Sequence, residues 1–218
     1  MRPDDPSASI AAIDALLPQT QCTRCGHGGC LPYATAIVVD GAPIDRCPPG
    51  GATGIVLLAA ATRREVVPLD PACGVEAPRR LARVIAELCI GCTKCIQACP
   101  VDAIAGANQR LHAVIPALCT GCELCVAPCP VDCSEMVEPP PALAGWGREQ
   151  ADAARERHQR RARRLERVAR EDRARLAGEA RATLTTLASG PQDADTARKR
   201  AVVEAAIARA RARLEAGR

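Results

Sequence analysis

The sequence predicts an α+β chain of three parts: a small helical domain rich in cysteine, a pseudo-symmetric domain built from a duplicated cysteine motif, and a C-terminal α-helical hairpin or tail. Three observations predict it. With an offset of 30, residues 82–104 match residues 112–134 at 11 of 23 positions, and two similar halves of this size make a pseudo-symmetric unit. The chain holds 14 cysteines but no Phe, one Trp and one Tyr, so something besides a large aromatic core must hold its interior. From residue 148 onward the composition shifts to Ala, Arg, Glu and Leu, all good helix formers.

The N-terminal domain is expected over residues 1–69. In SIAAIDALL, Ile10, Ile13 and Leu17 recur at helical spacing behind a serine, and Pro18 closes the segment. YATAIVV at 33–39 reads as a short helix beside a metal site, PPGG at 48–51 as a turn, and ATGIVLLAAATRREV at 52–66 as a second, mostly buried helix. DPACGVEAPRR, residues 70–80, has the Pro and Gly content of a linker. The duplicated domain spans 81–137. Each half opens on an apolar extended stretch, ARVIAEL or HAVIPAL, and runs through a cysteine loop into PVD, so the two stretches should approach each other. EPPPALAGWG, within the Pro/Gly linker 138–147, is intolerable to a helix or a central strand. Residues 148–218 form a basic helical tail, with helices over 148–188 and 192–217 separated by SGP. In the second, Val203, Ile207, Ala210 and Leu214 make a narrow stripe that would pack on the first.

The start of the chain carries acidic residues and prolines where a signal peptide would have its apolar core. The longest apolar run, IVLLAAA at 55–61, falls far short of the roughly 20 residues of a spanning helix. We therefore expect a cytoplasmic chain, or one peripheral on the inner face of the cell membrane, whose thiols bind metal instead of pairing as disulfides. There is no triad, phosphate loop or dinucleotide fingerprint, and GATG at 51–54 is too short to count, so no catalytic site is expected.

Each repeat reads C-x2-C-x2-C-x3-C-P. Three cysteines at this spacing wrap one cubane, and the fourth is badly placed for it; in two-cluster bacterial ferredoxins it ligates the other cluster. The expected ligands are Cys89, Cys92, Cys95 and Cys129 for one [4Fe-4S] cluster, and Cys119, Cys122, Cys125 and Cys99 for the other. Pro100 and Pro130 would turn the chain away after each crossing ligand, and Gly91 and Gly121 would let backbone approach inorganic sulfur. Zinc is the alternative, but a third Cys at x2 has no tetrahedral use. Upstream, Cys22, Cys25, Cys30 and Cys47 describe a third pocket, where the spacing alone leaves both iron–sulfur and zinc open. His27 is expected as a surface histidine, and Cys73 and Cys133 as bystander thiols. The architecture is thus a small helical domain, a bacterial two-cluster ferredoxin domain and a tail; with iron–sulfur chosen upstream, the first is a helical [4Fe-4S] domain and the chain carries three [4Fe-4S] clusters in all.

Charge is divided unevenly. Residues 148–218 carry 19 Lys/Arg and 11 Asp/Glu, a balance of +8, and the rest carries 10 and 14, a balance of −4. A cubane with four thiolates bears about −2, so three would take the head to roughly −10. The tail could fold back on that head or reach an anionic surface such as lipid or an acidic protein. A structural zinc protein binding nucleic acid through the tail is the reading from another class, weakened by the lack of aromatic interleaving.

LPQTQCTRCGHGGCLPYATAI with IDRCPPGG, and CIGCTKCIQACPVDAI with CTGCELCVAPCP, resemble the B subunit of the Rnf/Rsx electron transport complex over residues 10–135. The resemblance implies a [4Fe-4S] cluster on Cys22, Cys25, Cys30 and Cys47. It also implies an electron relay in a membrane complex coupling ferredoxin and NAD redox chemistry to ion movement, with redox proteins and other Rnf/Rsx-type subunits as partners. Members of that family begin with a membrane-spanning helix, which is not expected here, and the basic tail lies outside the family pattern. A soluble ferredoxin serving a different reductase would carry the same motifs.

Overall fold

Pro6 opens the first helix of the computed structural model, α1 (Pro6–Leu16), at a position where proline's missing N–H would be unsatisfied in any case. The structure describes residues 6–191 and 193–216. Helix α1 lies mainly against α2 (Cys30–Val39) and also against α3 (Gly51–Thr62). Ile13, Leu17, Ile37 and Leu58 join Cys25, Cys30 and Cys47 in one core. Tyr33 supplies its only large ring. It donates its hydroxyl to the carbonyl of Pro43 at 2.8 Å and accepts the Arg46 N–H at 3.2 Å, which ties the approach to Cys47 onto α2. Helix α3 departs from the expectation of a mostly buried helix: it buries Ile55, Leu58 and Ala59 on one stripe and leaves Val56 and Leu57 exposed.

Residues 70–80 are fastened at two points. Asp70 accepts the Ala72 N–H at 2.9 Å and opens one 3-10 turn, Pro71–Cys73. Glu76 accepts the Ala52 N–H at 2.9 Å, which places a carboxylate at the start of α3, where the helix dipole favours it.

The duplicated region contributes β1 (Leu81–Val84), α4 (Lys94–Ala98), β2 (Ile104–Ala105), β3 (Ala113–Val114) and β4 (Ser134–Val137). Strand β1 pairs antiparallel with β4, Leu81 opposite Val137 and Val84 opposite Ser134. Strand β2 pairs antiparallel with β3, Ile104 opposite Val114. Each two-stranded sheet therefore takes one strand from each repeat. The repeats differ in one element: Cys99 N–H reaches Cys95 O and closes α4, whereas the second loop makes turns with Val126 N–H on Glu123 O and Cys129 N–H on Val126 O. Pro128 stands where the first copy has Ala98, and it has no N–H to give to a helix.

Pro141–Ala144 forms a single helical turn, α5, with a proline at its start; the Pro-rich stretch thus contains a turn of helix where none was expected. Trp146 donates its indole N–H to Pro18 O at 2.8 Å, and the Arg79 guanidinium sits 4.7 Å from the Trp146 ring centre. Helix α6 (Arg148–Ser189) then begins, and one compact unit runs through Arg161, inside this helix. Ala151 and Ala154 are buried, and Ala154 packs with Leu81, Val101 and Ile104. Arg155 pairs with Asp14 at 3.0 Å, Arg157 donates to Leu118 O at 3.2 Å, His158 Nδ1 donates to Pro100 O at 2.9 Å, and Arg161 pairs with Asp102 at 2.7 Å. Part of the tail's positive charge is thus spent on the head.

The second unit begins at Ala162 and holds the rest of α6 and α7 (Ala194–Ala216). None of its described residues is buried; the partly covered ones include Leu184 and Leu187 on α6 and Val203 and Ile207 on α7, while Ala210 is exposed. Pairs one turn apart, Arg175–Glu179 at 2.9 Å and Asp195–Lys199 at 2.6 Å, support the helices. The Leu214 side chain, Gln192 and residues 217–218 fall outside the described residues, as do residues 1–5.

Candidate metal centres

Cys22, Cys25, Cys30 and Cys47 line one small enclosed cavity with Leu17 and Tyr33. The loop carrying them is held by a chain of buried polar side chains that composition and spacing do not reveal. Arg155 pairs with Asp14, whose carboxylate and carbonyl accept Gln19 Nε2 at 3.0 and 2.6 Å. Gln19 Oε1 accepts Gln21 Nε2 at 2.8 Å, and Gln21 Oε1 accepts the Cys30 N–H at 2.9 Å. Buried amides matched on both ends specify one conformation. The only sequence signal was the pair of glutamines in PQTQC, both at positive φ. His27 is half-buried and stacked on Tyr33 with ring centres 5.2 Å apart, which corrects its reading as a plain surface residue.

In the duplicated region, Cys99 lines a second small cavity together with Cys119, Cys122 and Cys125. Cys129, the fourth cysteine of the second motif, does not line that cavity: Cys133 Sγ is 3.4 Å from it, with Cys89 also within reach of Cys133. Amides give the fourth cysteine of each motif a matching partner, Ala103 N–H to Cys99 Sγ at 3.2 Å and Cys133 N–H to Cys129 Sγ at 3.3 Å. Gly91 and Gly121 have φ of 70° and 74°. A Cβ there would stand 2.6 Å from Arg110 N and 2.5 Å from Arg80 O, so on that side each glycine admits neighbouring backbone.

Burial dominates the electrostatics. It pushes Cys30 up to about 12, Cys122 to about 12 and Cys95 to about 11, and it raises Cys25, Cys47 and Cys125 as well. Thiols so placed become thiolates when a metal centre deprotonates them. Cys129 differs: burial opposes its ionisation, but the amides of Val131, Cys133 and Ser134 and the Cys133 thiol hold it below the usual value. Burial, and then the contact with Cys129, pushes Cys133 up to about 12. Of this pair Cys129 is the one whose ionisation its surroundings favour, and Cys133 the one whose ionisation they oppose.

Three further side chains escaped the sequence reading. His112 is 3% exposed and places Nδ1 3.2 Å from Cys95 Sγ. Ser134 Oγ is 3.6 Å from Cys125 Sγ. Cys133, expected as a bystander, is buried against Cys129. Cys73 is half-buried, with its sulfur 3.9 Å from Asp70 Oδ2. Among the described residues, no three His, Cys, Asp or Glu side chains converge as they would on a single ion; an iron–sulfur cage takes one thiolate at each corner.

Residues 82–136 match the family model described as 4Fe-4S dicluster domain, and residues 17–49 match that described as putative Fe-S cluster. The B subunit of the ion-translocating oxidoreductase complex from Hahella chejuensis is 54% identical over 137 residues, which cover 63% of this chain and 69% of that protein. Its counterpart from Alcanivorax borkumensis is 54% identical over 139 residues, 63% of this chain and 71% of that one. The chain belongs to this B-subunit family. It spans 54% and 50% of the family members from Azoarcus and Thiobacillus denitrificans, to which it is 54% and 56% identical over 45% and 44% of its own length. No solved structure matches it. The resemblance read from the cysteine motifs is borne out, and the residues fit iron–sulfur clusters: thiols are the right donors, eight of them gather in two enclosed pockets, and amides point at the sulfurs of Cys99 and Cys129.

Proposed function

We propose that the chain is an electron relay of three [4Fe-4S] clusters and a redox subunit of an Rnf/Rsx-like ion-translocating complex. The observation that carries this reading is the contact between cysteine loops. Thr120 donates its hydroxyl to Thr20 O at 3.0 Å, and Arg24 meets Glu123 at 2.6 Å, so the loop of Cys22 and Cys25 lies against the loop of Cys119, Cys122 and Cys125. The cavity those three share with Cys99 supports the crossed ligand sets. The stations then run in the order Cys22–Cys47 set, Cys119 set with Cys99, Cys89 set with Cys129.

When bound, each cluster supplies a one-electron couple with a potential between roughly −700 and +450 mV, set by hydrogen bonds, burial and charge. The chain holds the stations in contact, excludes water from the buried sulfurs and directs amide donors at them. Its partners are redox proteins, including other subunits of such a complex. No helix among the described residues is long and apolar enough to cross a membrane. The basic tail beyond Arg161 is proposed to bind an anionic surface, an attraction that should weaken as salt rises.

Anaerobic purification tests the reading. About 12 irons and 12 sulfides per chain are expected. A colourless protein holding stoichiometric zinc would sink it.

A further inference from the structure

The two ferredoxin-type cysteine sets differ in what touches their sulfurs. In the proposed set of Cys89, Cys92, Cys95 and Cys129, His112 Nδ1 lies 3.2 Å from Cys95 Sγ and Cys133 Sγ lies 3.4 Å from Cys129 Sγ. Thirty residues earlier, the matching positions are Ala82 and Ala103, neither of which has a side-chain donor. The other set draws on different groups. Ser134 Oγ is 3.6 Å from Cys125 Sγ, and the Arg79 and Arg157 guanidinium groups act on Cys119 and Cys99. Thr120 stands beside Cys122, but its hydroxyl proton goes to Thr20 O.

We propose that His112 and Cys133 are hydrogen-bond donors to the sulfurs of Cys95 and Cys129, and that they selectively raise the reduction potential of the cluster those two cysteines share. The inference rests on the crossed ligand reading above. An iron-bound thiolate has no proton to give, so the proton in each contact belongs to His112 Nδ1 or to Cys133 Sγ. Reduction adds one electron to the cluster and moves neither proton. The added negative charge spreads to the thiolates, and a donor stabilises the reduced form more than the oxidised one. The placement of His112 is otherwise unexplained. Its ring is buried, Nε2 has no hydrogen-bond partner among the described residues, and the ring lies where a Cβ on Gly106 would collide with it. Burying an imidazole with one nitrogen unmatched is unfavourable, and its one side-chain hydrogen bond among the described residues is to the sulfur.

The test is an EPR-monitored redox titration of the full chain, reconstituted anaerobically and reduced with dithionite. His112→Leu should lower one transition by about tenfold in its one-electron equilibrium, about 59 mV. Cys133→Ala should lower the same transition by less, because S–H is a weak donor, and Cys133→Ser should stay near wild type. Ser134→Ala should move a different transition. Wild-type iron content with no transition moved by His112→Leu or Cys133→Ala overturns the proposal, as do shifts in two different transitions. If His112→Leu loses iron, Cys133→Ala against Cys133→Ser decides. A wild-type chain without cubanes would instead remove the relay reading, before any variant is compared.

Discussion

Arg24 and Glu123, 99 residues apart in sequence, meet at 2.6 Å. The bridge ties the first cysteine loop to the second ferredoxin-type loop, and both side chains are more than a third exposed. Solvent screening limits such a pair to about 1 kcal/mol or less. We expect Glu123→Gln to lower the melting temperature by no more than about 4 °C, as read by calorimetry, with iron content unchanged. A larger fall would mean that the loop contact depends on this bridge far more than its exposure allows.

The proposed crossing of the ligand sets has a direct consequence for single substitutions. Cys99→Ser should remove the cluster of Cys119, Cys122 and Cys125, leaving about 8 of 12 irons, and should spare the cluster of Cys89, Cys92 and Cys95. Cys129→Ser should do the reverse. Loss of the cluster in the mutated residue's own loop would overturn the assignment, and iron analysis with EPR separates the cases.

Gly91 and Gly121 sit in the left-handed region with neighbouring backbone where a Cβ would go. Gly91→Ala and Gly121→Ala should each destabilise the fold by more than about 1 kcal/mol. Gly28→Ala is the control, since nothing lies within 4 Å of its Cβ position. Thermal melts of the three variants provide the comparison.

Arg155 joins the start of α6 to the buried Asp14 carboxylate. Arg155→Ala leaves that carboxylate without its cation, and we expect a loss of about 1–3 kcal/mol. Two truncations make the same point on a larger scale. A chain ending at Arg161 should melt like the full-length head, whereas one ending at Gly147 also loses Ala151, Ala154 and the contacts of Arg155, Arg157, His158 and Arg161 with the head, and should melt lower. Equal melting of the two would show that those contacts carry no stability.

What could be read from the sequence was whatever is local. The helices around Cys30 and Gly51 and the extended stretches before each cysteine loop follow from short-range patterns, and the glycines and prolines mark their ends. Strand partners were less legible: ARVIAEL and HAVIPAL read as extended, but periodicity does not say that β1 pairs with β4 and β2 with β3. The cysteines of the three motifs stood out because the chemistry proposed for them needs fixed spacing. Gln19, Gln21, His112 and Arg155 did not, since each acts through a partner remote in sequence or through a polar contact that hydrophobic patterning cannot encode. The contact of Cys133 was not legible either, because comparison with Ala103 marks a difference as dispensable, when here the difference puts a second sulfur 3.4 Å from Cys129 Sγ.

The pairing of β1 with β4 puts Leu81 beside Val137, so the chain enters and leaves the duplicated region at one edge. A segment whose ends are neighbours behaves as a cassette: it can be spliced into a host chain, or copied, without moving the flanking parts. That gives a geometric reason why the duplicated module can sit between a helical cysteine domain and an arginine-rich helix.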